Sequence, residues 1–168
     1  LDTKHPIITE NLLGIKRVKG SIQKGKKPIL INHLKSIVNA IDEQKYREIK
    51  KLRDRSIMLI GFGGGFRRTE LISIDHEDLE FVPEGLKITI RRSKTDQFGE
   101  GMIKGLPYFS NEIYCPVTSL KKWLEVSKIK SGPIFRRFSN GSLLTEKRLT
   151  DHSVVLLMKE YLNLAGIE

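Results

Sequence analysis

Apolar residues recur every three or four positions in several stretches of the chain, which is the spacing of helices with one buried face. The first stretch covers residues 7–19, and the second begins after Pro28 and ends at the polar residues 42–44. Residues 46–62 predict a third helix, whose charged first half runs into an apolar second half that enters the core. A further helical segment is predicted over residues 66–74.

The second half of the chain carries both strand and helix patterns. Alternating apolar and polar residues over 86–91 predict a strand, and residues 102–108 are expected to pair with it. Pro116 suits the first turn of a helix, and a last helix is predicted between Thr150 as its N-cap and Gly166 just past its end. The predicted fold is therefore mainly α with a small antiparallel β-sheet, in the α+β class.

The composition of the 168 residues, 39% hydrophobic and 30% charged, fits one domain or one domain plus a piece of another. No apolar run approaches the roughly 18 residues that cross a bilayer, and no signal-peptide pattern opens the chain. We therefore expect a cytoplasmic location and no membrane contact. The single cysteine, Cys115, excludes an intrachain disulfide. Histidine and cysteine never fall at metal-ligand spacing, so we expect no structural zinc and no other metal site.

Charge narrows the range of partners. Thirty Lys and Arg residues against twenty Asp and Glu residues give a net charge of +10, which is typical of a protein that binds a phosphate backbone. Residues 20–28 contain two glycines and a proline and predict an exposed basic linker. The basic residues that we expect to contact DNA are Lys16, Arg17, Lys19, Lys24, Lys26, Lys27, Arg68, Arg91 and Arg92. A helical interaction domain whose positive charge is incidental is the alternative.

The glycine cluster at residues 61–65 is a feature that phosphate-binding loops also have. The Gly-Lys-Ser/Thr sequence of such a loop does not follow, and the G-x-G-x-x-G spacing is not met. We therefore exclude nucleotide binding and predict that these glycines allow two helix ends to approach closely.

Arg67 and Glu70 are three residues apart, so they lie on one face of a helix. The Glu70 carboxylate can hold the guanidinium in one orientation while other N–H groups face a phosphate. A surface ion pair worth a few tenths of a kcal/mol is the alternative. Lys94 follows the first predicted strand, where it is either a solvated lysine or a general acid that reaches a phosphodiester oxygen.

Five segments of the chain together resemble the catalytic domain of the tyrosine recombinase (phage-integrase) family. These segments are residues 52–71, 93–96, 115–117, 132–136 and 149–166. The most specific of the matching sequences is GFRRTEL, and SKTD supports it. The resemblance implies three parts: residues 1–19 as the last helix of a core-binding (DNA-clamp) domain, residues 20–28 as a basic linker, and residues 29–168 as the N-terminal portion of an incomplete catalytic domain.

The resemblance also implies roles for individual residues. Arg67 would grip the scissile phosphate, Glu70 would buttress Arg67, and Lys94 would protonate the leaving 5′-oxygen. The family needs no cofactor, and its nucleophile is a tyrosine that forms a 3′-phosphotyrosyl link. Its members act as tetramers on double-stranded DNA, so the implied partners are DNA and further copies of the protein, and the implied location is the nucleoid.

The rest of the family's active site is not found in this sequence. Its H-x-x-R motif and its tyrosine should follow the helix that ends at Gly166, and His152 does not substitute, because Val155 stands where the arginine belongs. We therefore expect no nucleophile in this chain and no activity of the chain alone. The chain starts at Leu1 rather than Met and stops at Glu168, just after Gly166, so we expect either an excerpt of a longer protein or a naturally truncated one.

Two functions follow from these expectations. The first is site-specific DNA recombination or integration by a parent enzyme that cuts and rejoins DNA strands. The second is non-catalytic DNA binding by the remnant of a shortened recombinase.

Overall fold

The computed structural model describes residues 5–19, 28–91, 101–139 and 143–167. The helices are α1 (Pro6–Lys19), α2 (Ile31–Glu43), α3 (Glu48–Gly63), α4 (Arg68–Ser73), α5 (Pro116–Ser127) and α6 (Asp151–Leu164). The strands are β1 (Leu79–Val82), β2 (Gly85–Ile90), β3 (Met102–Pro107), β4 (Arg136–Ser139) and β5 (Leu143–Arg148). Short 3₁₀ turns cover His76–Asp78 and Glu112–Tyr114. Within these ranges, every helix is too short or too polar to span a membrane.

The strands form two antiparallel sheets rather than the one that the sequence predicts. In the first sheet β2 lies between β1 and β3, and in the second β4 pairs with β5. The alternation over β2 is confirmed, because its apolar side chains are buried while Lys87 and Thr89 are exposed. β1 was not predicted because it has only four residues, and the second sheet was not predicted because the apolar and polar residues of β4 and β5 do not alternate. The α+β class is therefore confirmed, whereas the prediction of a single sheet was wrong, because the described strands form two.

The core lies between four helices, with α3 packed against α2, α5 and α6. The apolar half of α3 is buried as predicted, since Ile57 to Ile60 are each at most 2% exposed. Trp123 of α5 is fully buried, and its Nε1 donates to the carbonyl oxygen of Ile134 at 2.8 Å. Burial of these side chains is the main favourable contribution to folding.

The predicted helix ends are confirmed by their hydrogen bonds and backbone angles. Thr150 Oγ1 accepts a hydrogen bond from the backbone N–H of Ser153 at 3.2 Å, so it caps α6. Gly166 follows α6 with a φ of +66°, the left-handed conformation that favours glycine. Pro116 stands at the first turn of α5.

The α3–α4 turn, residues 64–67, places Arg67 at the start of a helix. A β-carbon on Gly61 would lie 3.1 Å from Leu71 Cδ2, so the predicted close approach of the two helices is confirmed. Gly65 has a φ of +55°, which L side chains rarely adopt. Arg67 is still extended, with φ −65° and ψ 149°, and α4 therefore begins two residues later than the sequence predicts.

Candidate functional site

The Arg67 and Glu70 side chains form an ordered pair at the beginning of α4. Glu70 Oε2 accepts the backbone N–H of Arg67 at 3.0 Å, and Oε1 accepts Arg67 Nη1 at 2.8 Å. The Glu70 side chain is 6% exposed and that of Arg67 is 50% exposed. The carboxylate is thus buried while half of the arginine surface faces solvent. This arrangement differs from the fully exposed ion pair that was the alternative, because a buried carboxylate fixes the direction of the guanidinium.

A third charged group, which was missed in the sequence, joins this pair. Lys104 of β3 places its Nζ 3.6 Å from Glu70 Oε2, on the side of the carboxylate that also accepts the Arg67 backbone N–H. Its side chain is only 19% exposed. Lys104 and the buried Leu106 are two residues apart on β3 and so share its inward face. A lysine in register with a buried leucine is the signal that could have identified it.

A second group of charges joins the end of β2 to the 3₁₀ turn His76–Asp78 and to β5. Arg91 Nε donates to Asp78 Oδ1 at 2.6 Å, and Arg148 Nη2 donates to Asp75 Oδ1 at 2.5 Å. Arg91 Nη1 lies 3.6 Å from Asp75 Oδ2, so that carboxylate has an arginine on each side. The hydrogen bond and charge of Asp78 raise the pKa of Arg91 above its ordinary value. The group fixes the point where β2 leads into residues 92–100.

The other predicted DNA-binding residues fall in three groups. Arg17 on α1 and Arg68 on α4 are exposed, and Arg91 is 59% exposed beside its acidic partners. Lys16 and Lys19 lie within α1. The remaining residues lie outside the described part of the chain, namely Lys24, Lys26, Lys27, Arg92 and the predicted general acid Lys94.

The four tyrosines have hydroxyl partners in separate parts of the fold. Near the surface, hydrogen bonds join side chains of other elements to the hydroxyls of Tyr46, Tyr108 and Tyr114. Tyr161 is fully buried, and its hydroxyl donates to Asp54 Oδ2 at 2.7 Å. Burial and the neighbouring Asp54 carboxylate raise the pKa of Tyr161 far above its ordinary value. The prediction that Tyr161 belongs to the core is confirmed.

The described residues do not place three or more His, Cys, Asp or Glu side chains where they could jointly hold a metal ion. The Arg67 site presents cations that are held in place by the Glu70 carboxylate. Preorganised cations of this kind stabilise negative charge that develops on an oxyanion or a phosphate.

Comparison with known proteins shows which proteins the chain is similar to. The chain is 40% identical over 165 residues to an integrase/recombinase XerD homolog of Selenomonas ruminantium, and the match covers 98% of the chain and 48% of that protein. The chain thus spans about half the length of this curated relative. No protein-family model matches the chain.

Two solved structures have the same fold. The first is the XerH site-specific recombinase bound to difH substrate in a pre-cleavage complex, with a TM-score of 0.60 and 17% identity; the match covers 99% of this chain and 51% of that chain. The second is the XerH site-specific recombinase bound to palindromic difH substrate in a post-cleavage complex, with a TM-score of 0.59 and 18% identity; the match covers 88% of this chain and 39% of that chain. The sequence similarity to the XerD homolog supports the resemblance of the chain to the tyrosine recombinase (phage-integrase) family.

Proposed function

We propose that this chain supplies part of the active site of a site-specific DNA recombinase, which cuts and rejoins strands through a phosphotyrosine intermediate. The observation that carries the proposal is the Arg67–Glu70 pair, in which a buried carboxylate holds a half-exposed guanidinium at the start of α4. The XerD homolog, which is named as an integrase/recombinase, supports the same activity.

The proposed chemistry follows from the charge that develops during strand cleavage. Attack on a phosphodiester adds negative charge to its nonbridging oxygens, and a cation fixed beforehand stabilises that charge without reorganising. Arg67 is the proposed cation, and Glu70 is the group that holds it. Lys94 is the proposed general acid toward the leaving 5′-oxygen, on the basis of the SKTD sequence alone.

We assign the nucleophile to none of the four tyrosines of this chain. Tyr161 is excluded on physical grounds, because a buried hydroxyl that donates to a carboxylate neither reaches DNA nor ionises readily. The chain alone is therefore proposed to be inactive.

The proposed partner is double-stranded DNA, bound through the basic residues of α1 and the linker, with further copies of the protein completing a tetramer. The net charge of +10 supports DNA binding, and the XerH complexes with difH are consistent with it. A location on the nucleoid follows from that proposal.

Arg67→Ala in the full-length protein tests the proposed function. The substrate is a nicked suicide duplex that carries the sequence the protein selects from a random duplex library, and the covalent DNA adduct is measured in single turnover. We expect the cleavage rate to fall at least about 100-fold, since one preorganised charge is lost. DNA affinity should change little, because one phosphate contact among many is removed.

Arg47→Ala is the matched control, because Arg47 is an exposed arginine at the N-cap of α3 as Arg67 is at the N-cap of α4. It should leave both the cleavage rate and the affinity unchanged. Equal loss of cleavage in the two variants would contradict the role of Arg67. If the wild-type protein binds its selected duplex without forming any adduct, the protein only binds DNA and the proposed catalysis is wrong.

A further inference from the structure

Lys104 binds the α3–α4 turn at several points. Its Nζ donates to the carbonyl oxygens of Gly64 at 3.0 Å and Gly65 at 3.1 Å. The same atom lies 4.4 Å from the ring centroid of Phe66, within the range of a cation–π contact, and 3.6 Å from Glu70 Oε2. An ammonium group has three N–H donors, and here they face two backbone carbonyls and a buried carboxylate.

We propose that Lys104 is a positioning residue for Arg67, an inference that rests on the proposed function of that arginine. The three residues that Lys104 contacts in the turn immediately precede Arg67 in the chain. The turn is a loop between two helices, and its conformation decides the direction in which Arg67 leaves the backbone. By binding β3 to this turn, Lys104 fixes the backbone from which the guanidinium extends.

Lys104 also sets the charge of the cluster. Glu70 carries one negative charge and, within the part of the chain that the structure describes, lies close to the cations Arg67 and Lys104; these three groups together carry a net charge of +1. Without Lys104, the charges of the Glu70 carboxylate and of Arg67 sum to zero, and the buried carboxylate has lost one cationic neighbour. A phosphate is then attracted less strongly to the remaining pair. Both effects of Lys104 act through Arg67 and Glu70 and need no contact with DNA.

The first test is hydrogen exchange in the full-length protein, which needs no catalysis. The amides of the turn are bonded to Ile60, Phe62 and Gly61 carbonyls and, at Arg67, to Glu70 Oε2. Lys104→Met keeps the length of the side chain and removes its donors and charge. We expect the amides of residues 64–67 to exchange at least about tenfold faster, because the turn opens more often.

Lys87→Met is the matched control, since Lys87 lies on β2 of the same sheet and its Nζ donates to the exposed Glu80 at 3.2 Å. It should leave the exchange of residues 64–67 unchanged. Unchanged exchange in the Lys104→Met variant as well would overturn the proposal.

The second test is single-turnover cleavage of the nicked duplex, with DNA affinity measured in parallel. Lys104→Met should lower the cleavage rate on the order of 10- to 100-fold, as a displaced catalytic group does, and leave DNA affinity within about twofold. Lys104→Arg, which restores the charge and several donors, should recover part of the rate. In an Arg67→Lys background, Lys104→Met should lower the rate much less than in the wild type, because the two residues act together.

The outcomes separate this proposal from the proposed function. If Arg67→Ala abolishes cleavage and Lys104→Met does not slow it, Arg67 acts as proposed and Lys104 does not position it. If Arg67→Ala leaves cleavage unchanged, the proposed function is wrong, and the inference that rests on it fails too. If Lys104→Met does not fold, Lys104→Gln keeps two donors for the glycine carbonyls, and faster exchange together with slower cleavage is again the supporting result.

Discussion

Tyr161 lies in the interior between α3 and α6, where its hydroxyl donates to Asp54 Oδ2 at 2.7 Å. The other oxygen of Asp54 accepts from the Arg53 guanidinium, with Arg53 Nε at 2.8 Å and Nη2 at 2.7 Å. Asp54 is fully buried, so each of these donors compensates part of the cost of removing its charge from water. The role of Tyr161 is therefore to satisfy a buried carboxylate in the core.

Tyr161→Phe should destabilise the protein by about 1–3 kcal/mol, because it leaves one oxygen of a buried carboxylate without this donor. Urea unfolding measures the change. Tyr114→Phe is the control, since the Tyr114 hydroxyl donates to Asn39 in an exposed hydrogen bond of 3.2 Å, and it should cost less than about 0.5 kcal/mol. The Tyr161→Phe variant of the full-length protein should still form a DNA adduct. Loss of the adduct from a folded Tyr161→Phe protein would show that Tyr161 is the nucleophile.

Single residues differ in how far the sequence can predict their contacts. Arg67 is the N-cap of the short helix α4 and Glu70 is three positions later, so local geometry alone brings them together, and the structure has this contact. Lys104 reaches a carbonyl that lies 40 residues earlier in the chain. That contact depends on how β3 packs beside the turn, which is a tertiary arrangement that periodicity does not specify.

The α3–α4 turn is the element that links the core to Arg67. Gly64 sits so close to the next side chain that a β-carbon there would lie 2.1 Å from Phe66 Cε2. Gly65 has a φ of +55° and open space around it, so its constraint is conformational rather than steric. Two successive glycines therefore meet two different requirements of the same turn.

Gly65→Ala should destabilise the protein by about 1–2 kcal/mol, because a side chain in the left-handed region brings Cβ close to the backbone. Gly105→Ala is the matched control: Gly105 is an exposed glycine of β3 with open space and no positive φ. The control should change stability by less than about 0.5 kcal/mol. Thermal and urea unfolding of the two variants check the difference, and equal costs would show that the turn does not constrain position 65.

Elements were predictable where a buried face imposes a period. The four core helices and β2 each bury one set of apolar residues, so their patterns were recognised. The sequences of β4 and β5 are mostly polar, RRFS and LLTEKR. Their sheet is supported by polar bonds, such as Thr145 Oγ1 donating to the carbonyl oxygen of Arg137 at 2.9 Å. A sheet of this kind leaves little hydrophobic alternation in the sequence.

On the scale of the whole molecule, the net charge of +10 is unevenly distributed along the chain. Positions 16–27 contain six basic residues and no acidic one, whereas arginines in the described part of the later chain form ion pairs with aspartates, including Arg53, Arg55, Arg91 and Arg148. Basic residues paired with carboxylates in the fold contribute little net attraction for a polyanion. We therefore expect most of the electrostatic contribution to DNA binding to come from α1 and residues 20–28, the predicted linker.

Replacing Lys16, Arg17, Lys19, Lys24, Lys26 and Lys27 together by glutamine tests this distribution. Each phosphate contact contributes about 0.9 to the slope of log affinity against log salt, so the six changes should flatten the slope by up to about five. The measurement is fluorescence anisotropy of the full-length protein on a duplex of random sequence, over about 50–200 mM salt. The control is the replacement by glutamine of six exposed lysines elsewhere, which removes the same net charge. These lysines are Lys45, Lys122, Lys128, Lys130, Lys147 and Lys159.

The control decides between local contacts and overall charge. Counterions are released where basic side chains lie against phosphates, so six lysines away from the DNA should alter the slope by less than about one. Each of the two sets of substitutions lowers the net charge by six. If the net charge acted only as a long-range field, both sets would therefore flatten the slope equally. Equal slopes would therefore contradict the assignment of DNA binding to α1 and the linker. A slope near zero in the wild-type protein would go further and leave the helical interaction domain with incidental charge as the remaining explanation.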